Sequence, residues 1–338
     1  MTRSAPVTRD TLLVTGGAGF IGSNMARAFA AEGWRVVVAD WLETGPKWRN
    51  ISDILLDYVL RPEAIGDFVE REGGRIGAVI HMGAISATTE RDGDRILARN
   101  VRPTLDLWEQ CARKGIRFIY ASSGATYGDG SHGFRDDEAP EALARLAPLN
   151  AYGWSKLMAD RRFVADVAAG RPTPPQWAGL RFFNVYGPGE THKGDMRSVI
   201  HKIYPIAAAG EAVTLFKSHH PDYTDGGQLR DFLYVADCVN VVRWLLETPT
   251  VSGIFNVGTG EARSFEDLAN AVFAAAGLPP QITYVDMPET LRGAYQYFTE
   301  ADMTKLRAAG YARPFTSLEE GVSQYVTQHL RGSNTAGA

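Results

Sequence analysis

The chain has 338 residues, a length that suits one large α/β unit or two domains. Its 35 Lys and Arg against 39 Asp and Glu give a formal net charge of −4, which excludes a globally basic nucleic-acid binder. Two cysteines cannot build a disulfide framework, and no apolar run has the roughly 20 residues of a membrane span. The polar N-terminus does not have the pattern of a signal peptide. We therefore expect a cytoplasmic protein with no membrane or nucleic-acid partner.

Short apolar runs alternate with helix-length segments through the first half of the chain. The helices are predicted at Ile21–Ala31, closed by Gly33, and Pro103–Lys114, closed by Gly115. The strands are predicted at Thr11–Thr15, Arg35–Asp40, Ala78–His81, Phe118–Ser122 and Leu180–Phe183. This alternation predicts a Rossmann-type α/β fold, a doubly wound parallel sheet with helices on both faces. The Pro-rich stretch 171–179 is expected to be a stiff loop before the last of these strands.

The pattern becomes irregular after Phe183. The segments 187–194 and 217–228 are rich in Gly, Pro, His and Asp and are predicted to be loops. A strand and helix are expected over 231–247, and a strand over 254–257. We predict a smaller α/β substrate domain built from late, interleaved segments and a disordered tail at 331–338. The proposed division gives residues 1–183, 231–261 and 296–312 to the Rossmann domain, and 184–230, 262–295 and 313–330 to the substrate domain.

A glycine-rich turn follows the first predicted strand and precedes the first helix. The spacing is Gly16-x-x-Gly19-x-x-Gly22, within the segment VTGGAGFIGSN (14–24). Such glycines permit a tight turn, a close approach of the backbone to a pyrophosphate, and close packing of helix on strand. The positive end of the helix then faces the phosphates. This context predicts that a dinucleotide binds here.

Asp40 ends the second predicted strand, where a carboxylate can bind the adenosine ribose hydroxyls. Its charge favours NAD, because a 2′-phosphate would meet a like charge. Lys47, Arg49 and Arg61 follow and can neutralise such a phosphate. From these residues alone the choice between NADP and NAD stays open.

Tyr152 and Lys156 lie four residues apart at the start of a predicted helix that ends near Val167, so both face the same side. A neighbouring ammonium is expected to lower the pKa of the Tyr152 phenol and make proton exchange with a sugar hydroxyl feasible. Ser123 lies at the carboxyl end of the fourth predicted strand, the edge at which parallel sheets bind ligands. Its hydroxyl is expected to orient the reacting oxygen toward Tyr152.

These residues together resemble the extended short-chain dehydrogenases/reductases, which include the NAD-dependent epimerases and dehydratases. The resemblance covers 12–325. Narrower segments resemble one branch of that family: SATTERDG (86–93), YASSGATYG (120–128), FFNVYGP and HKG (182–194), RDFLYV (230–235), SGIFNVGTG (252–260), GAYQYFTEADM (293–303) and LRAAGY (306–311).

The resemblance implies an isomerase that inverts C6 of ADP-D-glycero-D-manno-heptose, a precursor of the lipopolysaccharide inner core. The carbon is oxidised transiently to a ketone and the hydride returns to its other face. The implied partners are the ADP-heptose substrate, one tightly bound NADP per subunit (NAD being possible), and further copies of the chain in a homo-oligomer, commonly a pentamer. Inversion needs an acid/base on each side of the carbon, and by resemblance these are Tyr152 for one epimer and Lys193 for the other.

Further roles follow from the resemblance, residue by residue. The catalytic residues are Ser123, Tyr152 and Lys193. The residues expected at the cofactor are Gly16, Gly19, Phe20, Ile21, Gly22, Asp40, Trp41, Lys47, Arg61, Met82, Gly83, Ala84, Ile85, Ser86, Asn100, Tyr152, Lys156 and Val185. The residues expected at the ADP-sugar are Ser123, Asn184, Asp195, Lys202, Phe216, Arg230 and Tyr295, with Arg230 the natural partner of a phosphate.

Several positions depart from the family pattern. Trp41 replaces an asparagine, Met82 a glutamate, Asp195 a serine and Lys202 a histidine, and the loop 217–229 is longer than usual. The departures concern cofactor preference and sugar identity more than the type of reaction. The seven histidines show no metal-ligand spacing, and no metal is expected.

Three other functions are weighed against this one. A 4-epimerase of UDP-sugars would use the Ser/Tyr/Lys set without Lys193. A 4,6-dehydratase is disfavoured because no carboxylate lies between Ser123 and Tyr127. A non-catalytic nucleotide-sensing or RNA-associated protein is disfavoured because Tyr152 and Lys156 are both present.

Overall fold

The structure is a computed structural model that describes residues 9–292 and 295–331. Its strands, in chain order, are β1 (Thr11–Thr15), β2 (Arg35–Ala39), β3 (Tyr58–Leu60), β4 (Ile76–His81), β5 (Arg117–Ser123), β6 (Trp177–Phe182), β7 (Asn184–Tyr186), β8 (Val213–Phe216), β9 (Leu229–Tyr234), β10 (Gly253–Val257), β11 (Ala262–Ser264) and β12 (Ile282–Val285).

The helices connect these strands. They are α1 (Phe20–Ala31), α2 (Ile65–Glu72), α3 (Gly93–Ile96), α4 (Arg102–Lys114), α5 (Pro140–Arg145), α6 (Ala151–Ala168), α7 (Val199–Ala208), α8 (Val235–Glu247), α9 (Phe265–Ala276), α10 (Glu289–Arg292), α11 (Thr304–Ala308) and α12 (Leu318–Tyr325). Short 3₁₀ turns lie at Pro46–Ile51, Pro62–Ala64, Gly124–Tyr127 and Thr191–Met196, and wider π-type turns at Leu97–Val101 and Val326–Leu330.

Seven parallel strands form the central sheet in the order β10-β6-β5-β4-β1-β2-β3. β1 lies between β2 and β4, so that Thr15 pairs with Ala39 on one side and His81 on the other. The chain changes its direction of travel across the sheet at β1. In open parallel sheets, ligands bind in the crevice that this change leaves at the carboxyl ends of the strands. The topology therefore places a binding cleft next to the glycine-rich turn.

Hydrophobic side chains cover both faces of this sheet. Along β1, Leu12 and Val14 pack in the same cluster as Phe29 of α1, whereas Leu13 packs in the cluster that contains Trp108 and Phe163 on the opposite face. Because neighbouring residues of a strand point to opposite faces, one uninterrupted apolar strand contributes to both clusters.

A second group of elements packs around its own hydrophobic cluster, in which Ile203 of α7, Val272 of α9 and Val322 of α12 are buried. β9 pairs in parallel with β7 and antiparallel with β11, while β8 and β12 form a parallel pair. These elements come from late, interleaved parts of the chain. The exact division into two domains stays a prediction.

The structure confirms the doubly wound parallel fold and differs from the expectations at a few segments. The predicted loop 171–179 ends earlier, because β6 begins at Trp177, which pairs with Phe118. The predicted loop 187–194 overlaps the turns at Thr191–Met196. Of the predicted disordered tail, Arg331 is helical and donates hydrogen bonds to the carbonyls of Ala275 and Ala276, and 332–338 lie outside the described residues. Within the described part of the chain, no helix is both long and apolar enough to cross a membrane.

Candidate active site

A cleft of ≈ 1110 Å³ opens at the carboxyl ends of β1, β4, β5 and β6. Its wall includes the glycine-rich turn, the start of α6, the segment after β7 and the start of α7. Thr15, His81, Ser123 and Phe182 each end a central strand there, as the change of direction at β1 predicts.

Close backbone contacts explain the glycines of the turn. Gly16 has a φ of 63°, and a Cβ atom on it would lie 2.6 Å from the Cα atom of Gly83. A Cβ atom on Gly22 would lie 2.2 Å from the Gly16 carbonyl oxygen. α1 begins at Phe20 without a side-chain cap, so its first backbone amides face the cleft. This uncapped helix start and its tight glycine cradle fit the pyrophosphate of a dinucleotide.

Asp40 is a buried carboxylate whose two oxygens are both engaged. Oδ2 accepts a hydrogen bond of 2.9 Å from the Ala18 amide, which fixes the glycine-rich turn against β2. Oδ1 accepts one of 2.6 Å from Lys47 Nζ. The Lys47 ammonium thus neutralises the Asp40 carboxylate. A 2′-phosphate beside Asp40 would therefore meet much weaker electrostatic repulsion than the sequence alone suggests.

A second, smaller cavity adjoins the cleft beside Asp40, and Trp41, Arg61, Arg95 and Arg99 line it. The Arg99 guanidinium stacks over the Trp41 ring, 4.0 Å from the ring centroid, and the Trp41 indole N–H donates to Glu63 over 3.0 Å. Arg95 pairs with Glu90, whereas none of the described carboxylates lies within ion-pair distance of Arg99. Arg99 is therefore a positive charge at the Asp40 end of the cleft that is available to an anion.

The start of α6 carries the tyrosine and the lysine. Asn150 caps this helix by accepting a hydrogen bond of 2.8 Å from the Gly153 amide. Tyr152 and Lys156 both line the cleft, and Lys156 Nζ lies 5.9 Å from the centre of the Tyr152 ring. Ser123 Oγ accepts a hydrogen bond of 3.1 Å from the Ala125 amide, which leaves its own proton to donate toward the Tyr152 oxygen.

Burial has the largest effect on the pKa values of Tyr152 and Lys156. It raises the pKa of Tyr152, while the hydrogen bond from Ser123 opposes that rise. It lowers the pKa of Lys156 from 10.5 to about 8, against the field of the Asp160 carboxylate. The expected lowering of the Tyr152 pKa by the ammonium is wrong for this structure, because loss of water around the phenolate outweighs a cation that lies beyond direct contact.

Lys193 reaches the cleft from the segment that follows β7. Its Nζ lies 5.3 Å from the centre of the Phe20 ring, at the beginning of α1. Burial lowers the pKa of Lys193, and the nearby Glu190 carboxylate opposes this. A half-buried amine with a lowered pKa can exchange protons more readily near neutral pH than an exposed one. Tyr152 and Lys193 therefore present two proton-exchanging groups to one cleft.

Arg230 lines the cleft between two aromatic rings, 5.6 Å from the Phe265 centroid and 5.3 Å from the Tyr295 centroid. It forms no ion pair with the adjacent Asp231, which instead accepts hydrogen bonds from the Thr259, Gly260 and Ala301 segments. Burial lowers the pKa of Arg230. Its half-buried guanidinium suits a phosphate oxygen.

The other residues predicted from the resemblance are placed as follows. Cleft-lining positions are Ser123, Tyr152, Lys193, Gly16, Gly19, Phe20, Ile21, Gly22, Asp40, Trp41, Lys47, Met82, Gly83, Ala84, Ile85, Ser86, Lys156, Val185, Asn184 and Arg230. Arg61 lines the smaller cavity, and Asn100 lines neither but holds Ile85 through hydrogen bonds of 2.8 and 3.0 Å.

Four predicted substrate residues do not line the cleft: Asp195 and Lys202 are exposed, and Phe216 and Tyr295 are half-buried outside it. For Asp195, the preceding Gly194 has a φ of 54° and redirects the chain. For Lys202, the α7 residues on the cleft side are Val199 and Ile200. Contact of these four residues with a substrate stays a prediction.

Some cleft residues belong to no recognisable sequence motif. Arg95 lies in α3 and Arg99 in the π-type turn before α4, and His192, Arg197 and Ser198 flank Lys193. Their approach depends on loop conformation, although the Arg-rich stretch around position 95 is a composition signal. No cluster of His, Cys, Asp and Glu suited to a metal occurs within 9–292 and 295–331.

The chain is similar to known proteins over most of its length. A family model described as the NAD dependent epimerase/dehydratase family matches residues 12–258. The ADP-L-glycero-D-manno-heptose-6-epimerase of Nitratidesulfovibrio vulgaris (strain DP4) is 50% identical over 333 residues, which cover 95% of this chain and 98% of the relative. That of Fusobacterium nucleatum subsp. nucleatum is 45% identical over 329 residues, covering 94% and 98%.

Solved structures extend the similarity. The crystal structure of Helicobacter pylori ADP-L-glycero-D-manno-heptose-6-epimerase has a TM-score of 0.77 and 28% identity, and the match covers 96% of this chain and 98% of that one. The Thermus thermophilus UDP-glucose 4-epimerase in complex with NAD has a TM-score of 0.73 and 29% identity, covering 96% and 99%.

Proposed function

The chain belongs to the NAD dependent epimerase/dehydratase family, and we propose that it converts ADP-D-glycero-D-manno-heptose to ADP-L-glycero-D-manno-heptose by inverting C6. The observation that carries this proposal is the presence of Tyr152 and Lys193 in one cleft. The relatives at 45 to 50% identity carry the name of this epimerase. A nucleotide-sugar epimerase is an isomerase, and the reaction produces no net change in oxidation state.

The cleft residues perform the proton transfers of this reaction. Bound along the glycine-rich turn, a nicotinamide dinucleotide supplies the hydride acceptor and donor. Tyr152 takes the C6 hydroxyl proton from one epimer, and Ser123 donates a hydrogen bond that stabilises the phenolate. Lys193 exchanges the proton of the other epimer on the opposite face. Lys156, which lines the same cleft, would hold the nicotinamide ribose, and Arg230 would hold a substrate phosphate.

The test follows C6 configuration by NMR after incubation with ADP-D-glycero-D-manno-heptose. We expect the wild type to produce a mixture of the two epimers, and Lys193→Ala to lose most of the turnover. Unchanged heptose together with turnover of a UDP-hexose would show that the chain is a UDP-sugar 4-epimerase. Normal heptose turnover by Lys193→Ala would refute the second base while leaving the substrate assignment intact.

The cofactor is a nicotinamide dinucleotide, and we propose NADP rather than NAD. Lys47 neutralises Asp40, and Arg99 offers a guanidinium without an ion-pair partner among the described residues in the adjoining cavity, which supports a 2′-phosphate there. Dinucleotide titration should give a lower Kd for NADP in the wild type. Arg99→Ala should raise the NADP Kd about tenfold or more, with little change for NAD. Arg91→Ala, at an exposed arginine of the same segment, is the control, and equal Kd values in the wild type would contradict the proposal.

Two further expectations from the resemblance are proposals of the same kind. We propose a homo-oligomer, a pentamer by resemblance, which sedimentation velocity would test. We also propose a cytoplasmic location, because the proposed substrate is a nucleotide-activated sugar.

A further inference from the structure

Glu190 is a buried carboxylate at the base of the segment that carries Lys193. It is 1% exposed. Oε1 accepts hydrogen bonds of 2.6 Å from Ser198 Oγ and 3.0 Å from the Tyr325 hydroxyl, and Oε2 accepts one from the Ser198 amide. Among the described residues, none of the cationic groups lies within ion-pair distance of it. Three hydrogen bonds, rather than a cation, stabilise its charge.

Tyr325 brings a distant part of the chain to this carboxylate. It is the last residue of α12, is 1% exposed, and lies 135 positions after Glu190. The His201 Nδ1 atom lies 2.9 Å from the same hydroxyl. A phenol has a single proton and an ionised carboxylate can only accept, so we assign that proton to the bond with Glu190 and an Nδ1–H donor to His201.

The backbone connects Glu190 to the lysine over one turn. The Lys193 amide donates a hydrogen bond of 2.9 Å to the Glu190 carbonyl, which closes the turn that begins at Thr191. On its other side the 190–198 segment is attached to the glycine-rich turn, because Asn50 Nδ2 donates hydrogen bonds to the carbonyls of Ala18 and Gly189, each over 3.0 Å. Lys193 is therefore held between two fixed points.

We infer that Glu190 and Tyr325 are positioning residues for Lys193, through which α12 fixes the second acid/base of the site. A lysine has a flexible stem, and its reactive nitrogen is useful only if the segment beneath it is held within a fraction of an ångström of its place. The inference rests on the proposed role of Lys193. Neither residue lines the cleft, so neither acts on the substrate. Both hold the 190–198 segment, and the Glu190 charge in addition opposes the lowering of the Lys193 pKa.

The experiment compares Tyr325→Phe with Tyr311→Phe in the cofactor-loaded enzyme. Tyr311 is 2% exposed, and in the described structure its hydroxyl has no hydrogen-bond partner, so the same atom is removed without loss of a bond. Single-turnover absorbance of the reduced nicotinamide is recorded separately with ADP-D-glycero- and ADP-L-glycero-D-manno-heptose. Lys193→Ala and Tyr152→Phe identify which epimer depends on which base.

We expect Tyr325→Phe to slow oxidation of the Lys193-dependent epimer about tenfold, as expected for the loss of one hydrogen bond to a charged group. The Tyr152-dependent epimer should react at the wild-type rate, and Tyr311→Phe should react normally with both. Glu190→Gln should show the same epimer selectivity. Equal slowing of both epimers, or no slowing, would overturn the inference. If Lys193→Ala itself shows no selectivity, the two-base function fails instead.

Discussion

Burial of the charged Lys156 side chain lowers the free energy of unfolding, and the cofactor-free protein should show this loss of stability. The side chain is 4% exposed, and burial lowers its pKa from 10.5 to about 8. That difference of 2.5 units corresponds to about 3 kcal/mol, because each unit is about 1.36 kcal/mol. Lys156→Met keeps the length of the aliphatic stem and removes the charge. We expect the apoprotein of this variant to be more stable than the wild type at neutral pH by up to about 3 kcal/mol.

The sign follows from where each state releases its proton. Below pH 8 the lysine is charged in both states, and the folded state carries the full cost of burying the charge. Between pH 8 and 10.5 the folded state releases its proton first, so the wild type gains stability as the pH rises. The advantage of Lys156→Met should therefore shrink from about 3 kcal/mol at neutral pH to about 1 kcal/mol near pH 9.5.

Urea denaturation of apoproteins at both pH values measures this difference. Lys202→Met, at an exposed lysine, is the matched control and should change stability by less than about 0.5 kcal/mol. A Lys156→Met apoprotein that is less stable than the wild type at neutral pH, or an advantage that grows with pH, would refute the reasoning. The same variant should lose dinucleotide affinity, so that binding and stability change in opposite directions.

Further predictions concern the turn and the serine. Gly22→Ala should abolish dinucleotide binding in a fluorescence titration, because its Cβ atom would lie 2.2 Å from the Gly16 carbonyl oxygen. Gly74→Ala is the control and should bind normally, because its Cβ atom would have no heavy atom within 4 Å. Normal binding by Gly22→Ala would contradict the role of the glycine cradle. Ser123→Ala removes the hydrogen bond that lowers the pKa of Tyr152, so the rise of kcat/KM with pH should move to higher pH. An unchanged pH profile would exclude Tyr152 as the base.

Local patterns predicted those parts of the site that depend on neighbours in sequence. The spacing of Gly16, Gly19 and Gly22 after an apolar strand is sufficient to predict a turn followed by a helix, because both are decided within a dozen residues. The four-residue spacing of Tyr152 and Lys156 likewise places them on one side of α6. Spacing does not give the pKa of Tyr152, since that depends on how completely the rest of the chain excludes water.

Contacts between distant segments could not be predicted in the same way. Glu190 in a Gly-rich stretch has the composition of a loop residue, and only the packing of α12 brings Tyr325 to it. Arg99 shows the same limit, because its approach to Trp41 depends on the π-type turn at Leu97–Val101. The sequence therefore predicts which groups line the cleft better than it predicts which groups hold them in place.

The Asp160 carboxylate limits the destabilisation that the buried Lys156 charge causes. It lies one helical turn after Lys156, is fully buried, and accepts hydrogen bonds of 2.9 Å from the Tyr120 and Ser122 hydroxyls. Arg181, also fully buried, pairs with it over 3.0 Å. The Asp160 field raises the pKa of Lys156 against burial, while Arg181 prevents Asp160 from becoming an uncompensated charge when the lysine releases its proton. Because Ser122 precedes Ser123 on β5, the same carboxylate also attaches α6 to the strand that carries the serine. The electrostatic balance at Lys156 and the spacing between Ser123 and Tyr152 thus depend on one buried pair, Asp160 and Arg181.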